Sequence, residues 1–93
     1  MRPRRRAGVL SQRADDTLIL LDPDSGEYYS LDDTGARIWE LCSGTRTVPE
    51  IVARVCSEFD APAATVEADT RELLDELTAE RLLEVGDAVG PAR

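Results

Sequence analysis

Between Asp22 and Asp32 a turn, a short strand and a helix cap follow one another with no spacer, and this junction limits the possible folds more than any other stretch. Asp22-Pro23-Asp24-Ser25-Gly26 is turn chemistry: proline presets φ, aspartates bond nearby backbone, and glycine accepts φ > 0. Glu27–Leu31 must then return along the aliphatic segment Thr17–Leu21 as a hairpin. Asp32 is suited to cap a helix, its carboxylate accepting orphan backbone N–H groups. A strand that runs straight into a helix cap has to anchor the junction with its last side chain. Leu31 therefore points inward, Tyr29 shares its face, and Tyr28 and Ser30 point the other way.

The remaining elements follow from local signals. Val9–Arg13 is read as a strand ahead of the hairpin. The helix capped by Asp32 carries an apolar stripe of Ile38, Leu41 and Cys42 and meets a stop at Gly44. Thr47-Val48-Pro49-Glu50 is a capping box. The helix it opens places Val48, Ile51, Val52, Val55, Cys56 and Phe59 on one face at alternating three- and four-residue steps. A third helix starts between Pro62 and Val66, runs to about Glu80, and buries Val66, Thr70, Leu73, Leu74 and Leu77. Leu82, Leu83 and Val85 are expected to tuck back onto the body. The expected fold is α+β and winged-helix-like: a three-stranded antiparallel sheet followed by three helices (β-β-β-α-α-α) packed on one of its faces. The domain is expected over residues 9–85. The basic residues 1–8, with Arg2, Arg4, Arg5 and Arg6, and residues 86–93 are expected as flexible tails.

Composition bears mainly on function. A chain of 93 residues is one small domain with a thin core. Its net charge is −8, without lysine or histidine, which argues against binding along a phosphate backbone. The third helix carries Glu67, Asp69, Glu72, Asp75, Glu76 and Glu80 against Arg71 alone, the wrong sign for a DNA recognition helix. Without histidine, a glycine-rich phosphate loop or a metal-ligand cluster, the chain reads as a non-enzyme with no cofactor and no metal. Asp15-Asp16 and Asp32-Asp33 are turn and cap residues. Cys42 and Cys56 fall on apolar helix faces and read as buried structural thiols, with a disulfide or a reactive thiol as the alternative. Trp39 reads as core. Leu18–Leu21 is too short to span a membrane, and no apolar run follows the arginines as in a signal peptide, so the expectation is a cytoplasmic protein with no membrane contact.

The third strand ends the meander and is an edge. Proteins usually blunt edges with lysine, proline or a bulge, yet Tyr28, Tyr29, Ser30 and Leu31 carry neither charge nor proline. Two readings stand. The edge is open to a partner strand, with backbone bonds supplying affinity. Or it is covered by the chain's own N-terminal arm or last helix, the commoner fate of such a strand.

Leu21–Leu41, LDPDSGEYYSLDDTGARIWEL, resembles the PqqD-like family of RiPP recognition elements, small domains that bind leader peptides of ribosomally made natural products. The family pattern is a D-x-x-x-G turn, an aromatic strand ending in leucine, a polar cap, a Thr-Gly or Ser-Gly pair, then Ile-Trp and leucine. Thr47–Val52 fits its second helix, and Asp69 with Leu73-Leu74 its third. The resemblance spans Val9–Val85. It is greatest to the stand-alone members of lasso peptide biosynthesis, since the Pro-Glu-Gly turn of pyrroloquinoline quinone members is missing. The resemblance implies a leader-peptide chaperone. It would hold the precursor leader, present it to a separate leader peptidase (a transglutaminase-like cysteine protease), and have the cyclase as a further candidate partner. It places the leader antiparallel along Tyr28, Tyr29, Ser30 and Leu31, against a helical wall of Val66, Asp69, Thr70, Leu73 and Leu77. The alternatives are a PqqD-type chaperone for a radical SAM maturase and, further off, a DNA-binding winged helix. Two positions depart from the family. Ala61 stands where a polar N-cap often precedes the proline of the third helix. Arg81 stands where glycine commonly follows that helix, which leaves either a strained residue or a helix continuing toward Leu83.

Overall fold

The computed structural model of the chain describes residues 2–86. Four strands come first, β1 (Arg2–Arg5), β2 (Leu10–Ala14), β3 (Thr17–Leu21) and β4 (Tyr28–Leu31). Three helices follow, α1 (Asp33–Leu41), α2 (Val48–Phe59) and α3 (Ala63–Ala79), and β5 (Leu83–Gly86) ends the order. β2, β3 and β4 form an antiparallel sheet in chain order, with Leu20 opposite Ser11 on one side and Tyr29 on the other. Leu18 and Leu20 of β3 point into the core, and the helices cover that face alone. The core joins Leu20, Ile38, Ile51, Val55 and Leu77, all essentially inaccessible, with Trp39 among them.

The junction that constrained the sequence reading is built as its residues require. Asp22 Oδ1 accepts from the Asp24 N–H (3.0 Å), and the Asp22 C=O accepts from the Gly26 N–H (2.7 Å), closing the turn. Leu31 is buried, and Asp32 Oδ1 accepts from the Gly35 N–H at 2.8 Å. Gly35 has little space for a side chain: a Cβ there would lie 3.2 Å from Asp32 Oδ1 and 3.3 Å from Leu31 Cβ. The first turn of α1 thus rests directly on the end of β4. The capping box of α2 is formed in both directions, Glu50 N–H to Thr47 Oγ1 (3.3 Å) and Thr47 N–H to Glu50 Oε1 (2.8 Å).

Several expectations need correction. Residues 2–5 are not a tail. β1 pairs antiparallel with β5, Arg2 opposite Gly86 and Arg5 opposite Leu83. Its other side is also bonded, Arg5 N–H to the Cys42 C=O and Gly44 N–H to the Pro3 C=O, both at 3.0 Å. The arginines have structural work: the Arg5 guanidinium donates to the Glu40 C=O (2.9 Å) at the C-terminus of α1, where a cation meets unsatisfied carbonyls. The element order is therefore longer than β-β-β-α-α-α, with a second, two-stranded sheet joining the chain ends. Gly86, expected in the closing tail, ends β5, and residues 87–93 lie outside the described residues. α3 does not continue toward Leu83. Arg81 adopts φ 63, and the bonds Arg81 N–H to Thr78 C=O (3.0 Å) and Leu82 N–H to Leu77 C=O (2.9 Å) make a Schellman turn with arginine in the left-handed position. At its start, α3 has Pro62 at the N-cap and no side-chain cap. Both cysteines are free; Cys42 is buried, its thiol pushed up to about 12 by desolvation, and Cys56 is half-buried. Among the described residues no helix is long and apolar enough to cross a membrane.

Candidate functional site

β4 is bonded on one side only. Among the described residues no strand pairs with its other side. The orientation of its backbone groups follows from one bond: the Glu27 C=O accepts from the Asp22 N–H at 3.0 Å, so Glu27 turns toward β3. In an antiparallel ladder inward and outward residues alternate, so Tyr29 and Leu31 bond β3, while Tyr28 and Ser30 turn N–H and C=O outward.

Beside that edge lies a groove of about 540 Å³ between β4 and α3, to whose lining α1 also contributes. Tyr29 and Leu31 contribute from β4, Ile38 from α1, and Asp69 and Leu73 from α3. Tyr29, Leu31, Ile38 and Leu73 supply its apolar lining, and its α3 side is acidic, with Glu72 and Glu76 beside Asp69. Across the groove the Tyr29 hydroxyl donates to Glu76 Oε1 at 2.5 Å. This bond to a carboxylate, then partial burial, then the charges of Glu76, Glu80 and Glu72, hold the phenol proton on and push its pKa up to about 12.

Of the residues expected at a peptide site, the structure brings Tyr29, Ser30, Leu31, Asp69 and Leu73 to this groove. Tyr28 contributes backbone to the edge, but the residue is 74 % exposed and its side chain is on the outer face of the sheet. Val66, Thr70 and Leu77 are not on the groove surface; they are buried beneath it in the core. Periodicity finds the buried face of α3, and the groove is lined by the row next to it, Asp69, Glu72, Leu73 and Glu76. Glu72 and Glu76 were missed as lining residues, although helical spacing from Asp69 puts them on its side. The α1 contribution, Thr34, Gly35 and Ile38, was missed too; its signal was the absence of a spacer between β4 and the helix.

Residues 17–83 match the family model described as coenzyme PQQ synthesis protein D (PqqD). The chain belongs to the PqqD family of RiPP recognition elements. A PqqA binding protein of Xanthomonas axonopodis pv. citri (strain 306) is 43% identical over 84 residues, which cover 88% of this chain and 89% of that protein. The structure of TbiB1 in complex with the TbiA(beta) leader peptide superposes with a TM-score of 0.77 at 36% identity, covering 90% of this chain and 99% of the other. A lasso peptide synthetase B1 complexed with the leader peptide superposes with a TM-score of 0.78 at 25% identity, covering 91% and 100%. The PqqD match begins at β3 and ends inside β5, so β1 and β2 lie outside it.

Proposed function

We propose that this protein is a non-catalytic leader-peptide chaperone of lasso peptide biosynthesis. The precursor leader adds as a strand to the outer edge of β4, bonding the N–H and C=O groups of Tyr28 and Ser30, and its alternate side chains enter the groove toward Leu73 and Asp69. Bound there, it is presented to a separate leader peptidase of the transglutaminase-like cysteine protease class, with the cyclase as a further partner, in the cytoplasm. The observation that carries this reading is the edge of β4 that no described strand pairs, beside a groove between β4 and α3. The two superposing structures named as leader complexes support it. The scaffold is read as winged-helix-like, but the acids along α3 set it apart from a DNA-binding one. The 43% identity to a PqqA binding protein supports a second reading, in which the same edge holds a PqqA-like precursor for a radical SAM maturase.

The test is a titration of the isotope-labelled chain with the leader peptide of a lasso precursor. The expected result is shifts of the Tyr28 and Ser30 amides and of the α3 face at Asp69–Leu73. Shifts confined to α2 would refute the placement. Comparing that leader with a PqqA peptide separates the two pathways by affinity.

A further inference from the structure

Six arginines of the described residues pair with acids. Arg37 and Arg54 hold Glu58, Arg13 meets Asp33 and Glu40, Arg71 meets Glu67, and Arg6 meets Asp22. The groove is one place where acids lack an arginine; among the described residues Glu27, Asp60 and Asp75 lack one too. Its α3 wall presents Asp69, Glu72 and Glu76, and no arginine among the described residues lines it. Glu76 is engaged by the Tyr29 hydroxyl. Asp69 and Glu72 have no hydrogen-bond or ion-pair partner among the described residues, and both are exposed. Along the helix Leu73, the groove's apolar side chain on α3, follows Glu72 and lies between Asp69 and Glu76.

Taking the strand-addition reading as its base, we infer that the segment filling the groove carries an apolar residue over Leu73 and a lysine or arginine two residues to either side of it. The geometry sets the spacing. A strand added to β4 turns every second side chain toward α3, at intervals of roughly 7 Å. From Asp69 to Glu76 the helix advances roughly 10 Å at 1.5 Å per residue. One helix-facing residue can therefore sit at Leu73 while its helix-facing neighbours reach the carboxylates. A guest with acids at those positions would bring like charges together in a partly enclosed groove. Basic side chains would supply the positive charge that arginines supply to acids elsewhere on the surface, and their aliphatic stems would cover the groove floor.

Three capped synthetic peptides test this on the full chain. Each is a threonine-rich strand with a central leucine, and the residues two positions to either side are both lysine, both norleucine or both glutamate. At low salt the lysine peptide is expected to bind at least about tenfold tighter than the glutamate peptide, with norleucine between them. The difference should shrink at about 0.5 M salt. In the double variant Asp69→Asn, Glu72→Gln, whose changes are on the exposed helix face, lysine should lose most of its advantage over norleucine. Equal binding of lysine and glutamate peptides, or a lysine preference that survives in the double variant, would overturn the inference. If the cognate leader shifts the Tyr28 and Ser30 amides but the synthetic series shows no charge order, only the inference falls. If neither the leader nor any synthetic peptide shifts those amides, the groove reading falls and takes the inference with it.

Discussion

Two short strands, β1 and β4, each pair with one neighbour, β5 and β3 respectively. Their other sides differ. On β1 the outward groups of Pro3 and Arg5 bond Gly44 and Cys42 in the α1–α2 connection, and Pro3 is fully buried. On β4 the outward groups of Tyr28 and Ser30 pair with no described strand, and the groove lies beside them. β1 has arginines, a proline and a neighbouring loop, the means by which proteins seal an edge; β4 has none of them. Unpaired buried backbone is costly and unpaired backbone beside water is not. The open side of β4 is thus tolerable in the free protein and useful once a partner strand arrives, whereas the same vacancy on β1 would destabilise the domain.

The same substitution placed on both strands probes this difference most strongly. Arg5→Pro removes the N–H that bonds the Cys42 carbonyl. Measured against Arg5→Ala, which subtracts the guanidinium contacts, it should cost about 2–3 kcal/mol in a denaturant melt because the buried carbonyl loses its partner. Ser30→Pro removes an N–H that has no partner among the described residues and leaves the β3–β4 ladder intact, so stability should change by less than about 1 kcal/mol. Leader affinity, however, should fall about tenfold or more through one lost backbone bond and the obstructing ring. Equal stability losses in the two proline variants would show that β4 is sealed as β1 is.

What could be read from the sequence follows the same division. β3, β4 and the helices are encoded by neighbours in the chain: the Asp22–Gly26 turn, the Asp32 cap and the Thr47–Glu50 box each act within a few residues. β1 and β5 are not. Their pairing joins Arg4 to Glu84, across nearly the whole chain, and an arginine-rich segment has no apolar alternation to announce a strand. Alternation along β4 correctly separated Tyr29 from Tyr28, because a period of two leaves no ambiguity. On α3 the buried row is conspicuous and the groove row lies beside it, so Val66, Thr70 and Leu77 were assigned one row too deep. How far a helix is rotated against a groove is set by packing with α1 and α2, which no local pattern records.

A smaller effect is expected at Arg81, where the open and sealed regions meet. This residue ends α3, the groove wall, and leads through Leu82 into β5. Its φ of 63 is a conformation that glycine adopts freely. Arg81→Gly should raise stability by about 0.5–1 kcal/mol, the relief of left-handed strain less the added freedom of the unfolded chain. Leader affinity should not change, because the Schellman bonds already fix the end of the wall. A large change in affinity would mean that this turn sets the width of the groove as well as joining its wall to β5.

The smallest effect concerns the bond that spans the groove. Tyr29 donates to Glu76, and the carboxylate raises the phenol pKa from its ordinary value of 10 to about 12. Between those values the unfolded chain has released the proton and the folded chain retains it. The stabilisation is therefore complete below pH 10 and is lost as pH rises toward 12. The pair is near the surface, so the amount is below about 1 kcal/mol. Tyr28→Phe leaves Tyr29 as the sole tyrosine, and its phenolate absorbance should titrate with a midpoint near 12. Adding Glu76→Gln should return the midpoint toward 10. An ordinary midpoint in the Tyr28→Phe chain would mean that no bond joins β4 to α3 in solution. Glu76 would then be as available to a guest as Asp69 and Glu72, and the outer side of β4 would be open along its whole length.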